Sequence, residues 1–260
     1  MNKRPPVWLK SLHPDRPHRL ELFVFPYAGG GVVTFHAWHK HLPPWIRMQL
    51  VQLAGRESRF LEAPVQAAVE IVEPVAQAIA AISESPFVIF GHSMGSILAF
   101  EVARQLRRMS RLTPAALIVS GRCAPQLRPK IPPVSHLDGA PLVYRASELF
   151  GGIPREVLEH QELIELMARV LKADMRIVEE YRYLPEEPLS CPIAAYGGDR
   201  DPWVSQSELD AWREQTRGGF IREQFPGDHF YLREEENELR LLGKIREIAS
   251  RVVAKRDILG

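Results

Sequence analysis

The pentapeptide Gly91-His92-Ser93-Met94-Gly95 constrains this chain more than any other feature. A short β-rich run, Phe87 to Phe90, precedes it, and a helical segment from about Ser96 to Arg108 follows. A G-x-S-x-G sequence between a strand and a helix predicts a sharp turn that lifts the serine hydroxyl above a sheet. Strand and helix close tightly there, so the positions two residues either side of the serine must lack bulk. A chance glycine-rich turn would satisfy the composition but has no reason to fall between those two elements. In such a turn the N–H of the next residue, Met94, points at the place a reacting carbonyl oxygen would occupy.

The rest of the chain supplies the frame this turn needs. Short apolar runs at Leu20 to Phe25, Met48 to Leu53, Ala115 to Val119, Ile193 to Tyr196 and Phe220 to Phe225 read as strands. Helical spacing occupies 34–42, 65–83, Ser205 to Glu214 and about Glu235 to Ala254. Pro74 predicts a kink or restart in the second of these. Residues 1–19, rich in proline, histidine and basic residues, read as a mostly irregular arm. The alternation predicts an α/β domain, with a mainly parallel sheet covered by helices on both faces. It is interrupted once. Residues 122–136 carry Pro125, Pro129, Pro132 and Pro133, and Gly139 to Tyr183 looks wholly helical, with Asp138 as its cap and Pro141 in the first turn. This insertion, 128–185, falls where a helical lid over a site is expected, within a single domain spanning 1–260.

A serine hydroxyl is a weak nucleophile and needs a base oriented by an acid. Of nine histidines only His229 lies in the last third of the chain, after a predicted strand and the tight turn Pro226-Gly227-Asp228. The acid should follow the strand ending at Tyr196, where Gly197-Gly198-Asp199-Arg200-Asp201-Pro202 offers two carboxylates. Asp201 is preferred and Asp199 is the second choice; Asp228, adjacent to the histidine, reads as a turn residue. The order serine, acid, histidine is that of the α/β-hydrolase fold. The second oxyanion donor should come from the loop after the first predicted strand, Tyr27-Ala28-Gly29-Gly30-Gly31, with the N–H of Ala28 as the donor. A phosphate cradle is disfavoured there, because no Lys-Ser/Thr follows the glycines.

The 260 residues are 45% hydrophobic and 25% charged, with a formal net charge of +1, which points to neither nucleic acid nor an anionic membrane as a partner. Cys123 and Cys191 belong to no Cys-x-x-Cys pair, so neither a disulfide framework nor a zinc site is expected. The start, Met1 to Pro6, is basic but leads into no apolar run, and no stretch approaches the roughly 20 apolar residues of a membrane span. A cytoplasmic monomer without metal or cofactor is the expectation. His36, His39 and His41 read as a polar helix face in preference to a metal site. Arg104, Arg107, Arg108 and Arg111 read as a solvated helix end, complementing its dipole, or as a dock for an acidic partner.

Further segments carry a family likeness. They are Phe25-Pro26-Tyr27-Ala28-Gly29-Gly30, Trp38 with Leu42-Pro43, Gly55-Arg56-Glu57-Ser58-Arg59, the serine turn with Ala99-Phe100-Glu101, Leu171-Lys172-Ala173-Asp174 with Glu180-Tyr181, Gly198-Asp199-Arg200-Asp201-Pro202, and Gly227-Asp228-His229-Phe230-Tyr231-Leu232. With these the chain resembles the type II (external, editing) thioesterases that accompany polyketide synthases and nonribosomal peptide synthetases. Gly-Arg-Glu and the Ala-Asp…Glu-x-Tyr helix discriminate better than the serine turn, which many hydrolases share. Tyr27 stands where that family commonly has histidine, Gln52-Leu53-Ala54 replaces a Tyr-Pro-containing approach, and Asp228 stands where glycine is usual. The resemblance implies hydrolysis of acyl or aminoacyl thioesters on the phosphopantetheine arm of acyl or peptidyl carrier proteins, the arm belonging to the substrate. A small-ester hydrolase or an acyltransferase with the same three residues is the competing enzyme, and a non-catalytic carrier-binding module the competing class.

Overall fold

The computed structural model describes residues 7–110 and 112–259. Its seven strands are β1 (Leu9–Ser11), β2 (Leu20–Phe25), β3 (Ile46–Val51), β4 (Phe87–His92), β5 (Ala116–Ser120), β6 (Ile193–Gly198) and β7 (Phe220–Phe225). They form one sheet in the order β1-β3-β2-β4-β5-β6-β7. β1 runs antiparallel to β3, and every other neighbouring pair is parallel. Side chains alternate across a strand, and here the alternation sorts two apolar layers. Phe23, Phe25, Ile89, Leu117 and Val119 pack with helices α2 (Val69–Ile82) and α3 (Met94–Ser110). Leu22, Val24, Val88, Phe90 and Ile118 pack on the other side, with Phe35 of the short helix α1 (Val32–Phe35), with Trp38, and with the C-terminal helix. Each such fully buried side chain contributes roughly 1.5–3 kcal/mol.

The expected irregular arm over residues 1–19 needs correction. Leu9–Ser11 pairs with Gln49–Val51, and flanking bonds from Gln52 to Trp8 and from Leu12 to Met48 extend the pairing. The open edge of β3 offers unpaired backbone groups, and three residues of the arm suffice to cover them. The basic start, Met1 to Pro6, lies outside the described residues. Pro74 does not restart its helix. α2 is continuous through it, because Ile71, Val72, Val75 and Ile79 are buried against the sheet and outweigh the roughly 3 kcal/mol cost of an interior proline.

Gly139 to Tyr183 is also not one helical stretch. It holds three helices, α4 (Gly139–Phe150), α5 (Arg155–Glu159) and α6 (Gln161–Glu180), lying between β5 and β6. Gly151 and Gly152, with φ of +66° and +76°, end α4 in a conformation that favours glycine. Asp138 sits at the cap position but makes no capping bond; its carboxylate pairs with Lys172 of α6 instead. Leu142 and Ala146 of α4 pack on Leu171 and Met175 of α6. After β6 come α7 (Gln206–Asp210), a 3-10 turn at Ala211–Gln215, and, beyond β7, the long α8 (Glu235–Leu259).

His36 and His39 lie on a 3-10 turn after α1, and His41 follows it. Among the described residues no three histidine, cysteine, aspartate or glutamate side chains gather as a metal site, and no helix is long and apolar enough to cross a membrane. Cys123 and Cys191 are free and buried, and burial pushes both thiols up, that of Cys191 to about 12.

The basic run on α3 is a solvated helix end only in part, at Arg107 and Arg108 in its last turn. Arg104 is buried and bridges Glu101 and Glu186, each at 2.7 Å, while Arg107 and Arg108 reach the same Glu186 at 2.8 and 2.5 Å. Arg111 lies outside the described residues. The cluster latches α3 to the segment leading into β6. Partial burial raises the pKa of Glu186, but the three guanidinium groups outweigh it and hold the carboxyl below its ordinary range. The folded state therefore binds that proton less readily than the unfolded chain. Its stabilising contribution is present above the ordinary carboxylate range and is lost as pH falls through the lowered value. Glu186→Gln is expected to destabilise the protein at pH 7, with the gap to the parent shrinking toward about pH 3. Urea titrations at both pH values test this, and an equal gap at both would mean that charge is not the cause.

Candidate active site

The serine turn is held by packing that tolerates only glycine beside it. Ser93 has a φ of +54°, between the end of β4 and the start of α3. A Cβ on Gly91 would lie 2.1 Å from the carbonyl oxygen of Gly95, and one on Gly95 would lie 2.3 Å from that of Phe25. The Ser93 N–H donates to the Ser120 carbonyl at 2.7 Å, and the buried Ser96 hydroxyl donates to the Gly91 and Ser120 carbonyls at 2.8 and 2.9 Å. These bonds tie the turn to the end of β5.

Above it the structure brings together three of the predicted residues. His229 Nε2 is 3.0 Å from Ser93 Oγ, and His229 Nδ1 is 2.8 Å from Asp201 Oδ2. His229 is 2% exposed and Asp201 9%. The other Asp201 oxygen accepts the N–H of Trp203 at 2.9 Å, which fixes the carboxylate. Asp199 is elsewhere. Its side chain is 48% exposed, pairs with Arg200, and accepts the N–H of Gly227 at 2.8 Å, bracing the turn that presents the histidine. Asp228 accepts the N–H of Phe230, two residues on, as a turn residue does. This geometry can pass a proton from Ser93 Oγ to His229 Nε2 while Asp201 holds the ring.

A second histidine lies beneath. The His92 ring is buried 5.3 Å from that of His229 and bonds through Nδ1 to Ser120 Oγ at 2.8 Å, which in turn meets the Tyr231 hydroxyl at 2.7 Å. Burial, and after it the neighbouring His229, hold its pKa well below the ordinary histidine value, so it is a neutral packing group. Ser120 did not stand out in the sequence, since a lone serine carries no spacing signal, and Tyr231 entered only as part of the family-like segment around His229.

The loop after β2 lies against the first turn of α3, as the Gly95–Phe25 approach requires. The Ala28 N–H makes no hydrogen bond to a described residue, and Met94, as the first residue of α3, has no intrahelical acceptor for its own. The positive end of the α3 dipole faces the same place. Two motifs hold the loop. Arg56 donates two bonds to Asp174 of α6, both 2.7 Å, and one to the Gly30 carbonyl at 2.8 Å. Asp174, 1% exposed, also accepts the Gly29 N–H at 2.8 Å. Glu57 accepts the N–H groups of Val32 and Val33 at 2.9 and 2.8 Å. Gly-Arg-Glu and Ala-Asp were visible in the sequence, but their meeting on this loop was not.

A cavity of about 180 Å³ opens beside Ser93 and His229. Phe150 of α4 and Met167, Leu171 and Met175 of α6 make its wall apolar, and Gly152 and Phe230 close one end. Tyr27 lines it too, and its hydroxyl accepts a bond from Arg233 at 2.9 Å.

These contacts separate the candidate residues experimentally. Asp201→Asn is expected to lower kcat by about 10⁴-fold, as losing the ring-orienting carboxylate does, while Asp199→Asn stays within about fivefold. Steady-state kinetics on a p-nitrophenyl ester decides, and the reverse ranking would exchange the two aspartates. Asp174→Asn is expected to cost about 10- to 100-fold in kcat by releasing the Ala28–Gly30 loop. Stability is a separate matter, because Arg56 is then left buried with a weaker partner. The double change Arg56→Met, Asp174→Leu should recover Tm without recovering kcat; a recovered rate would make the pair structural only.

The thioesterase domain family model matches residues 20–249. The gramicidin S biosynthesis protein GrsT of Aneurinibacillus migulanus is 38% identical over 232 residues, covering 89% of this chain and 90% of that protein. Among solved structures, the RedJ thioesterase from the prodiginine pathway of Streptomyces coelicolor superposes with a TM-score of 0.82 at 35% identity, over 89% of this chain and 86% of that one. The type II thioesterase BorB from the borrelidin biosynthetic cluster does so with a TM-score of 0.82 at 33% identity, over 95% and 97%. The site stands within the matched region, its sheet order and serine turn are those of an α/β hydrolase, and the chain belongs to the thioesterase domain family.

Proposed function

We propose that this chain is a type II thioesterase that hydrolyses acyl and aminoacyl thioesters from the phosphopantetheine arms of carrier proteins in polyketide or nonribosomal peptide biosynthesis, removing aberrant or stalled groups. The observation that carries the reading is Ser93 Oγ, bonded to His229 and facing an apolar cavity within a thioesterase-family chain. His229 takes the Ser93 proton as the oxygen attacks the thioester carbonyl. Asp201 holds the ring tautomer and stabilises the imidazolium. The N–H groups of Ala28 and Met94 hold the oxyanion. The carbon–sulfur bond breaks, the thiol leaves with the proton from His229, and a water deprotonated by His229 hydrolyses the acyl-Ser93 ester. The protein needs no cofactor of its own for these steps; the arm belongs to the substrate. The helices within 128–185 act as a lid whose inner face shapes the acyl chamber.

The cavity size narrows the acyl group. A cavity of about 150 Å³ holds a benzene molecule, so 180 Å³ suits chains of up to about six carbons. A cytoplasmic setting is in keeping with the two buried, unpaired cysteines.

The test compares acetyl-, propionyl-, aminoacyl- and decanoyl-carrier protein with the matching coenzyme A thioesters and p-nitrophenyl esters, with Ser93→Ala as blank. Short carrier-bound thioesters are expected to turn over with at least about tenfold higher kcat/KM than decanoyl, and Ser93→Ala to lose about 10⁴-fold or more. Turnover of simple esters alone would leave a small-ester hydrolase. Acyl-enzyme formation by Ser93→Ala would overturn the mechanism.

A further inference from the structure

Ile131 and Val178, which line the acyl cavity, also line a second, adjoining cavity of about 520 Å³. Arg122 lines it and is 4% exposed. Its Nη1 is shut off from the surface and has no hydrogen-bond partner among the described residues. A guanidinium cannot shed its charge, and a buried charge without a partner is costly. The ionisable groups around it do not answer it. Burial pushes the Cys123 thiol up, and burial followed by Glu101 pushes the Tyr181 phenol up, so both stay neutral. The Glu179 carboxylate on the same wall is already taken by the N–H groups of Val134 and Ser135 and the Ser135 hydroxyl.

Two more guanidinium groups, Arg128 and Arg182, line the cavity from exposed positions. Three arginines around one concavity focus a positive potential, and the guanidinium fork matches phosphate oxygens in pairs. The cavity also adjoins the chemistry. Arg122 lies two residues beyond Ser120, whose carbonyl accepts the Ser93 N–H, and Ile97, on the first turn of α3, lines the same space.

We propose that this cavity binds a phosphate-bearing group, the phosphodiester end of the substrate's pantetheine arm, with Arg122 at its floor and Arg128 and Arg182 toward its mouth. The assignment to the arm rests on the function proposed above; the anion site itself does not. It gives the protein a means of favouring phosphopantetheine thioesters over thioesters of the same acyl group on a shorter thiol.

The experiment uses the full chain and two substrates that differ only in the phosphate, S-propionyl-4′-phosphopantetheine and S-propionyl-pantetheine. Variants are Arg122→Gln and, because a buried change can disturb folding, the double surface change Arg128→Ala, Arg182→Ala. KM for the phosphorylated substrate is expected to rise about tenfold in each, with its kcat and both constants for S-propionyl-pantetheine within about twofold of the parent. In calorimetry, inorganic phosphate should bind the parent at one site and bind Arg122→Gln at least about tenfold more weakly. Equal loss on both substrates would make the arginines structural and overturn the proposal. Phosphate binding with an unmoved KM would leave a site for free phosphate and overturn the assignment to the arm. Absence of both effects would mean a water-filled cavity. If neither thioester is turned over by the parent, the function reading fails, and calorimetry alone then judges the anion site.

Discussion

The carbonyl oxygen of Gly95 lies 2.1 Å from where a Cβ at position 91 would fall, and the site is arranged around that contact. It brings the first turn of α3 against the end of β4, and Ser93 between them has a φ of +54°. The strain of such a residue persists only where its surroundings over-determine it. Here Ser96 and the Ser120 carbonyl do so, by bonding the turn from below. Loosening that contact would move the hydroxyl, the Met94 N–H and the loop after β2 together, since Gly95 also abuts Phe25.

Parallel pairing then does the gathering. β2, β4, β6 and β7 end on the same side of the sheet, and each is followed by one element of the site: Ala28, Ser93, Asp201 and His229. Ligands of open α/β sheets sit at the carboxyl ends of the strands for this reason. The turns after β6 and β7 are braced against each other through Asp199 and Gly227, and the buried His92 ring packs beneath the imidazole, so the carboxylate and the imidazole keep their spacing.

The helices between β5 and β6 do more than line the cavity beside Ser93. Asp174 carries a buried ion pair to Arg56 and a bond to Gly29, so α6 and the loop after β2 share one charge. A movement of α6 away from the sheet would break both at once. Val178 of α6 lines both the small apolar cavity beside Ser93 and the larger, arginine-lined one.

Six of the seven strands, the serine turn and the histidine after the last strand were legible in the sequence, because hydrophobic period and glycine spacing are local properties. So was the preference for Asp201, since the G-x-x-D turn is local too. The C-terminal helix was legible apart from its last turn. Other features were decided by contacts between distant parts of the chain. Leu9–Ser11 is a strand because the edge of β3 is open to it, α2 survives Pro74 because its buried face holds it, and Arg104 is buried because Glu186 comes to meet it. The Arg56–Asp174 pair joins residues 118 apart in sequence, and the Arg122 Nη1, without a hydrogen-bond partner among the described residues, is buried only because the walls of a cavity enclose it. Local sequence thus determined which residues could do chemistry, while the tertiary structure decided which partners they have, because burial and charge pairing depend on what the rest of the chain brings alongside.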